Sequence, residues 1–324
     1  MKLYINGKNA DPFVLPDVKD WLHGKPLTVT TSGTTGHPKT VTHSHEVMHQ
    51  VVKNNIRHLG HHKKSKLFSI LNPRGIGFQS LMVYIALEAD CDLYMEEFNP
   101  HTYVDRLNAV KPTFTVMAPN LWSTLHKREK WKSLDLSCCE TVLMGADFTP
   151  TGALDELREH GPDRVVNAYG STEVPPCVMI SENENAYSVN NTLTNMQIKI
   201  SDRNTLMCKW DAQSEWWDSE DLVSGDLLKF KIKGRERNMF KQDIVHVYPE
   251  EAEKLACDYG ADIALCRQSG NYADLYFVGN MNKKIVRERL SHVPRLRIRQ
   301  VKKIEVDDNL RKVLRNQELE IANV

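Results

Sequence analysis

The most chemically loaded stretch of the sequence is a run of hydroxyl residues and glycines closed by a lysine: Thr30-Thr31-Ser32-Gly33-Thr34-Thr35-Gly36-His37-Pro38-Lys39-Thr40. Two glycines let the backbone turn sharply and approach a ligand. The hydroxyls and backbone N–H groups suit phosphate oxygens, and Lys39 adds a positive charge. The run is not the common G-x-x-x-x-G-K-[ST] loop, because Pro38 precedes Lys39. A second stretch, Val166-Asn167-Ala168-Tyr169-Gly170-Ser171-Thr172-Glu173, offers an aromatic face, hydroxyls and a carboxylate within five residues. A carboxylate oxygen is a suitable hard ligand for Mg²⁺. Ser224-Gly225-Asp226, followed by Gly234-Arg235, places a carboxylate and a guanidinium close in sequence. One carboxylate can accept hydrogen bonds from two hydroxyls. Two further stretches are weaker signals: the strand-end turn Met144-Gly145-Ala146-Asp147-Phe148 and the basic run Arg311-Lys312-Val313-Leu314-Arg315.

The elements that must position these residues alternate in the first half of the chain. Strand-like runs at 27–31, 66–71, 113–117, 140–144 and 164–167 are interleaved with helix-like runs at 44–59, 78–87 and 151–160, and a further helix is expected after Pro119-Asn120. That alternation predicts βαβ units and a mainly parallel sheet. After about residue 175, short strands at 187–189, 197–200, 206–210 and 227–232 suggest an antiparallel or barrel-like region. From Gly234 the pattern mixes again, with helices at 249–259 and 283–291 and strands at 263–265, 274–278 and 298–306. The last 90 or so residues suffice for a small α+β unit.

Composition narrows the function classes. The 324 residues carry 42 Lys+Arg against 42 Asp+Glu, so no strongly basic nucleic-acid or membrane-surface protein is indicated. No apolar run approaches the length of a membrane span, and Met1–Gly7 soon turns polar, without a signal-peptide core. Seven scattered cysteines without a C-x-x-C pattern argue against a disulfide framework or structural zinc and fit a reduced, cytoplasmic compartment. Histidines cluster after the glycine-rich run (His37, His43, His45, His49, His58, His61 and His62). They lack a metal-binding pattern, but one of them could touch substrate or phosphate. Arg295, Arg297 and Arg299 alternate onto one strand face, as a charged edge strand would.

Taken together, Thr31 to Lys39, the Tyr169–Glu173 stretch and their order closely resemble the adenylate-forming acyl ligases. That superfamily includes acyl-CoA synthetases, peptide-synthetase adenylation domains and luciferases. The resemblance implies that Thr31, Ser32, Gly33, Thr34, Thr35, Gly36 and Lys39 hold the phosphates of ATP. It implies that Gly145 and Ala146 line the adenine and acyl pockets, and that Asn167, Tyr169 and Gly170 belong to the nucleotide site, with Tyr169 stacking on adenine. Thr172 would contact phosphate, and Glu173 would help hold Mg²⁺. Asp226 would bind the ribose hydroxyls, Arg235 would add a contact near a hinge, and Lys312 would stabilise charge during adenylation.

The expected fold is α/β: a truncated large N-terminal domain (1–234) with a mainly parallel sheet and a small β region, then a small mobile α+β domain (235–324). The expected activity is ATP- and Mg²⁺-dependent conversion of a small carboxylic acid to an acyl-adenylate, followed by transfer to CoA. Transfer to a carrier protein or an amine, or a catalytically inactive nucleotide-binding regulator, are the alternatives. Asp243-Ile244 stands where the family has a Gly-Gly pair, which favours a non-CoA acceptor. Only about 30 residues precede the phosphate loop, fewer than in the family. A homo-oligomer interface could cover the surface so exposed. Nucleic acid and membrane are not expected partners.

Overall fold

The computed structural model describes residues 1–30, 39–175, 177–306, 313 and 315–322. The chain opens with a hairpin, β1 (Leu3–Ile5) and β2 (Lys8–Ala10). Asn6 and Gly7 make its two-residue turn at φ 48° and 76°, the left-handed pair that an Asn-Gly turn supplies. A short α1 (Val18–Leu22) follows. Next come β3 (Leu27–Thr30) and β4 (Thr40–His43), paired antiparallel from Leu27↔His43 to Thr30↔Thr40. The expected strand at 27–31 therefore belongs to a separate hairpin and not to the parallel sheet. The reason is local: its partner is the strand that returns directly after the glycine-rich run.

Helix α2 (His45–Leu59) is delimited by its own sequence. The Ser44 side chain accepts from Val47 N at 3.2 Å, and Gly60 ends the helix at φ 80°. Val47, Met48, Val51, Val52 and Leu59 recur at helical spacing and are buried. Strand β5 (Lys66–Ser69) leads to a helical stretch, α3 (Ile76–Phe78) and α4 (Tyr84–Glu88), joined by a π-helical turn at Gln79–Val83. The alternation then runs β6 (Asp92–Met95), α5 (Tyr103–Val110), β7 (Phe114–Met117), α6 (Pro119–Leu125), β8 (Thr141–Gly145), α7 (Ala153–Glu159), β9 (Val165–Tyr169) and β10 (Met179–Ser181).

One eight-stranded sheet results, in the order β10-β9-β8-β7-β5-β6-β1-β2. The six inner strands are parallel, and the edge strands β10 and β2 are antiparallel. The expected mainly parallel α/β sheet is present. Both faces are covered, as parallel strands require. Successive side chains point to opposite faces: Leu67, Leu143 and Val166 join the core under α2 and α4, whereas Phe68, Val142, Met144 and Val165 join that under α5, α6 and α7.

A five-stranded antiparallel sheet follows: β11 (Ala186–Tyr187), β12 (Met196–Ile200), β13 (Thr205–Trp210), β14 (Trp217–Asp226) and β15 (Lys229–Arg235), in the order β11-β15-β14-β13-β12. Strand β14 was not expected from the sequence. Its run Trp217-Asp218-Ser219-Glu220-Asp221 is too polar to read as a strand, and only pairing on both sides makes it one. A hairpin, β16 (Phe240–Gln242) and β17 (Val245–Val247), and α8 (Pro249–Asp258) come next. Strands β18 (Ala261–Ser269) and β19 (Tyr272–Gly279), helix α9 (Lys283–Arg289) and strand β20 (Leu296–Gln300) follow, with the strands in a three-stranded sheet β18-β19-β20. Buried apolar residues from Val247 onward form clusters of their own. Among the described residues, no helix is long and apolar enough to cross a membrane.

One core residue makes a measurable pH signature. His61 is buried against Phe114 with its rings edge to face at 4.6 Å, and its Nε2 has no partner among the described residues. Burial, with the adjacent His62, pushes its pKa down to about 3. The unfolded chain binds a proton near pH 6.5 that the folded chain refuses, so stability falls on acidification from about 6.5 toward about 3. The loss by pH 4.5 is on the order of 2–3 kcal/mol. Urea unfolding of His61→Leu should show a visibly flatter pH dependence between 6.5 and 4.5 than the unmodified chain. Equal slopes would disprove this origin.

Candidate functional site

The C-terminal ends of β8 and β9 lie side by side, in register from Val142↔Val165 to Gly145↔Ala168. This is the sheet edge at which α/β proteins place ligands. Gly145 is required there: a Cβ would sit 2.7 Å from the Ala168 carbonyl oxygen. Ala146 follows at φ 78°, a left-handed conformation that costs a non-glycine residue about 1–3 kcal/mol. Asn167 is buried; its Oδ1 accepts from Thr149 Oγ1 at 3.0 Å, and its Nδ2 has no partner among the described residues.

Tyr169 ends β9, and its hydroxyl donates to Asp221 Oδ2 at 2.5 Å. Burial, then the Asp221 charge, raises the phenol well above its ordinary pKa, so it stays a donor. Asp221 is buried, and its backbone N–H donates to Ser219 Oγ, which itself donates to the Leu206 carbonyl. Glu220, just before it, takes φ 58° where the β13–β14 pairing is irregular. Arg235 stands opposite Asp221 across the β14–β15 pair, with Nε 3.4 Å from Oδ1. Burial works against the Arg235 charge, but Asp221 foremost, then Tyr169, Glu173 and Glu250, outweigh it and raise its pKa. The cluster is therefore an ion pair tied to an aromatic, with a second carboxylate, Glu173, inside its field.

Glu173 lies in the turn that follows β9. That turn closes on itself through Ser171 N to the Val174 carbonyl (3.2 Å) and Val174 N to Ser171 Oγ (3.1 Å). From outside, His43 Nε2 approaches the Thr172 carbonyl at 2.7 Å. A carbonyl oxygen only accepts, so Nε2 carries the proton. Burial lowers the His43 pKa, against the raising effects of that hydrogen bond and of Glu173. Thr172, Glu173 and Gly170 are half-buried.

The structure thus brings together Gly145, Ala146, Asn167, Tyr169, Gly170, Thr172, Glu173 and Arg235. Thr31, Ser32, Gly33, Thr34, Thr35, Gly36 and Lys312 lie outside the described residues. Lys39 is exposed at the entrance to β4. Asp226 is not part of the cluster. It sits at the β14–β15 hairpin end, exposed, where Oδ1 accepts from Leu228 N (2.9 Å) and Lys229 N (3.1 Å). Five residues of strand separate it from Asp221, roughly 16 Å. Strand register places Asp221, and not Asp226, beside Tyr169 and Arg235. His43 carries no more sequence signal than its six neighbouring histidines.

As a Mg²⁺ site, Glu173 offers a carboxylate with no hydrogen-bond or ion-pair partner among the described residues. No group of three metal-ligating side chains occurs among them. One available carboxylate fits Mg²⁺, which keeps waters and phosphate oxygens as its other ligands.

The family profile described as AMP-binding enzyme matches residues 27–211. The indoleacetate–CoA ligase of Aromatoleum aromaticum (strain DSM 19018 / LMG 30748 / EbN1) is 26% identical over 147 residues, covering 45% of this chain and 29% of that protein. The chain therefore spans less than a third of the length of that curated relative. Among solved structures, an anthranilate CoA ligase in complex with anthranoyl-AMP has a TM-score of 0.75 at 13% identity, covering 89% of this chain and 65% of that one. The O-succinylbenzoate coenzyme A synthetase of Bacillus subtilis, with ATP and magnesium ion, has a TM-score of 0.74 at 18% identity, covering 90% and 69%. The amide bond synthetase of Marinactinospora thermotolerans has a TM-score of 0.72 at 17% identity, covering 88% and 66%. These likenesses establish a shared fold. The family profile takes in more than half of the sequence, including the glycine-rich run and the Tyr169–Glu173 turn, and so the chain belongs to the AMP-binding enzymes.

Proposed function

We propose that this chain activates a small carboxylic acid with ATP. A carboxylate oxygen attacks the α-phosphorus, the bond to the bridging oxygen of pyrophosphate breaks, and an acyl-adenylate and pyrophosphate result. The observation that carries this reading is the Tyr169–Asp221–Arg235 cluster at the end of β9, one turn from Thr172 and Glu173. Asp221, rather than Asp226, is the carboxylate for the ribose hydroxyls. Tyr169, locked at its hydroxyl, offers a fixed aromatic wall for adenine. The 31–39 loop holds the triphosphate, helped by the Thr172 hydroxyl. Glu173 holds Mg²⁺, which when bound neutralises charge on the phosphate oxygens. Lys312 stabilises charge developing at the reacting phosphate. Residues 235–324 act as a lid that turns about Arg235–Arg237.

CoA is the acceptor by family analogy, and two of the structural neighbours named above are CoA ligases. Transfer to a carrier protein or an amine is the second reading. Its support is the β16–β17 turn, where Asp243 holds φ 54° and pairs with Arg295 at 3.3 Å, and Ile244 is 90% exposed.

Acid-dependent ATP–pyrophosphate exchange with pooled carboxylic acids is expected, falling at least about 100-fold in Lys312→Ala, near the loss seen when one transition-state donor is removed. ATP binding without exchange, for every pool, would replace the ligase reading with the inactive regulator. A second test separates the two aspartates. Asp221→Asn should raise the KM for ATP by about 10-fold or more, the equivalent of a lost charge-assisted hydrogen bond. Asp226→Asn should stay within about twofold, since the turn it closes is exposed. Equal effects would refute the assignment of Asp221.

A further inference from the structure

The turn that bears Thr172 and Glu173 is a loop of bends, and its two internal hydrogen bonds, Ser171 N to the Val174 carbonyl and Val174 N to Ser171 Oγ, do not fix it to the rest of the fold. Val174 sinks its end into the core, and a hydrogen bond to another element comes from His43, 129 residues earlier, whose Nε2–H donates to the Thr172 carbonyl at 2.7 Å. His43 is itself well held. It is 5% exposed and occupies the last ladder position of β4, opposite Leu27. Strand β4 is also the strand that emerges from the phosphate loop, and Thr30↔Thr40 closes that loop's ends onto one ladder pair. The strand that follows the glycine-rich run and the turn that bears Thr172 and Glu173 are thus joined by a buried imidazole.

We propose that His43 is a positioning residue: by holding the Thr172 carbonyl, it sets the turn so that the Thr172 hydroxyl and the Glu173 carboxylate are presented together to nucleotide phosphates and their Mg²⁺. His43 touches neither nucleotide nor metal; it acts through the turn. The inference rests on the proposed nucleotide-binding reading and names the part of it that depends on β4. A purely space-filling role would be met by any side chain of similar volume. A positioning role demands a donor at the Nε2 location, which the amide nitrogen of glutamine approximates and leucine lacks.

The test is Mg²⁺-dependent ATP binding, measured by calorimetry on the full chain without acid substrate, for the unmodified protein, His43→Gln and His43→Leu. The expected result is at least a fivefold weakening of MgATP binding in His43→Leu, recovered by high Mg²⁺, and near-normal binding in His43→Gln. Equal binding in all three, or equal loss in both folded variants, would overturn the proposal. Should His43→Leu fail to fold, the ring N–H proton resonance of the unmodified protein decides. Assigned through its loss in His43→Gln, it should be protected from solvent exchange and shift on adding MgATP; a signal that exchanges freely or does not move overturns the proposal. An unmodified chain that binds MgATP in this way yet supports no pyrophosphate exchange would sink the ligase reading and leave His43 in its role. Exchange indifferent to His43 would do the reverse.

Discussion

The whole arrangement hangs on the parallel pairing of β8 with β9. Because the two strands run in register to Gly145↔Ala168, they end at the same level. Both of their exit turns, one through Ala146 and one through Gly170 to Glu173, therefore open on one sheet edge. The pairing is possible to its last residue only because position 145 has no side chain: a Cβ would meet the Ala168 carbonyl at 2.7 Å. A residue that forced β8 away would part the two turns, and no local repair in either could bring them back together.

Around that edge the protein balances buried charge with partners. Asp221 is too buried to stand alone, and it is met on one side by the Tyr169 hydroxyl and on the other by Arg235. Arg235 in turn lies in the field of Glu173 and Glu250. Buried ionic groups are retained where they are fully partnered, and removing one partner strands the other. The network therefore couples β9, β14 and β15 and fixes the orientation of the aromatic ring at the strand end.

A second buried ionic group anchors the C-terminal elements. Glu253 on α8 receives both Arg315 nitrogens at 2.8 and 3.0 Å and the Cys266 N–H at 2.8 Å, and Arg315 also reaches Glu250 at 3.2 Å. Burial raises Glu253 to about 7 despite Arg315. Gly234, at φ 141°, leaves the space that Glu250 occupies; a Cβ there would lie 2.4 Å from its Oε2. The end of β15, α8 and residue 315 thus meet at one small junction. On the three-stranded sheet, Arg297 and Arg299 lie on the edge strand β20 and pair with the buried Asp274, whereas Arg295 precedes the strand at φ 50° and pairs with Asp243.

The sequence by itself determined what is local. The alternation of strand and helix patterns named the parallel sheet, because apolar periodicity is a property of consecutive residues. Ser44 and Gly60 bounded α2 through bonds within a turn of themselves. The hydroxyl–glycine run and the Tyr169–Glu173 stretch carried the resemblance to the adenylate-forming ligases, and the family profile takes in both. Tertiary structure decided what depends on residues far apart in sequence. Strand 27–30 was assigned to a hairpin because its partner is β4. The polar β14 became a strand because β13 and β15 pair with it on both sides. Asp221 entered the cluster and Asp226 left it because register places Arg235 opposite the former. His43 was singled out from its neighbours because the strand on which it sits points its ring at a carbonyl 129 residues later. Spacing along a chain carries no information about which strand will lie beside which, and that adjacency is what turned separate motifs into one site.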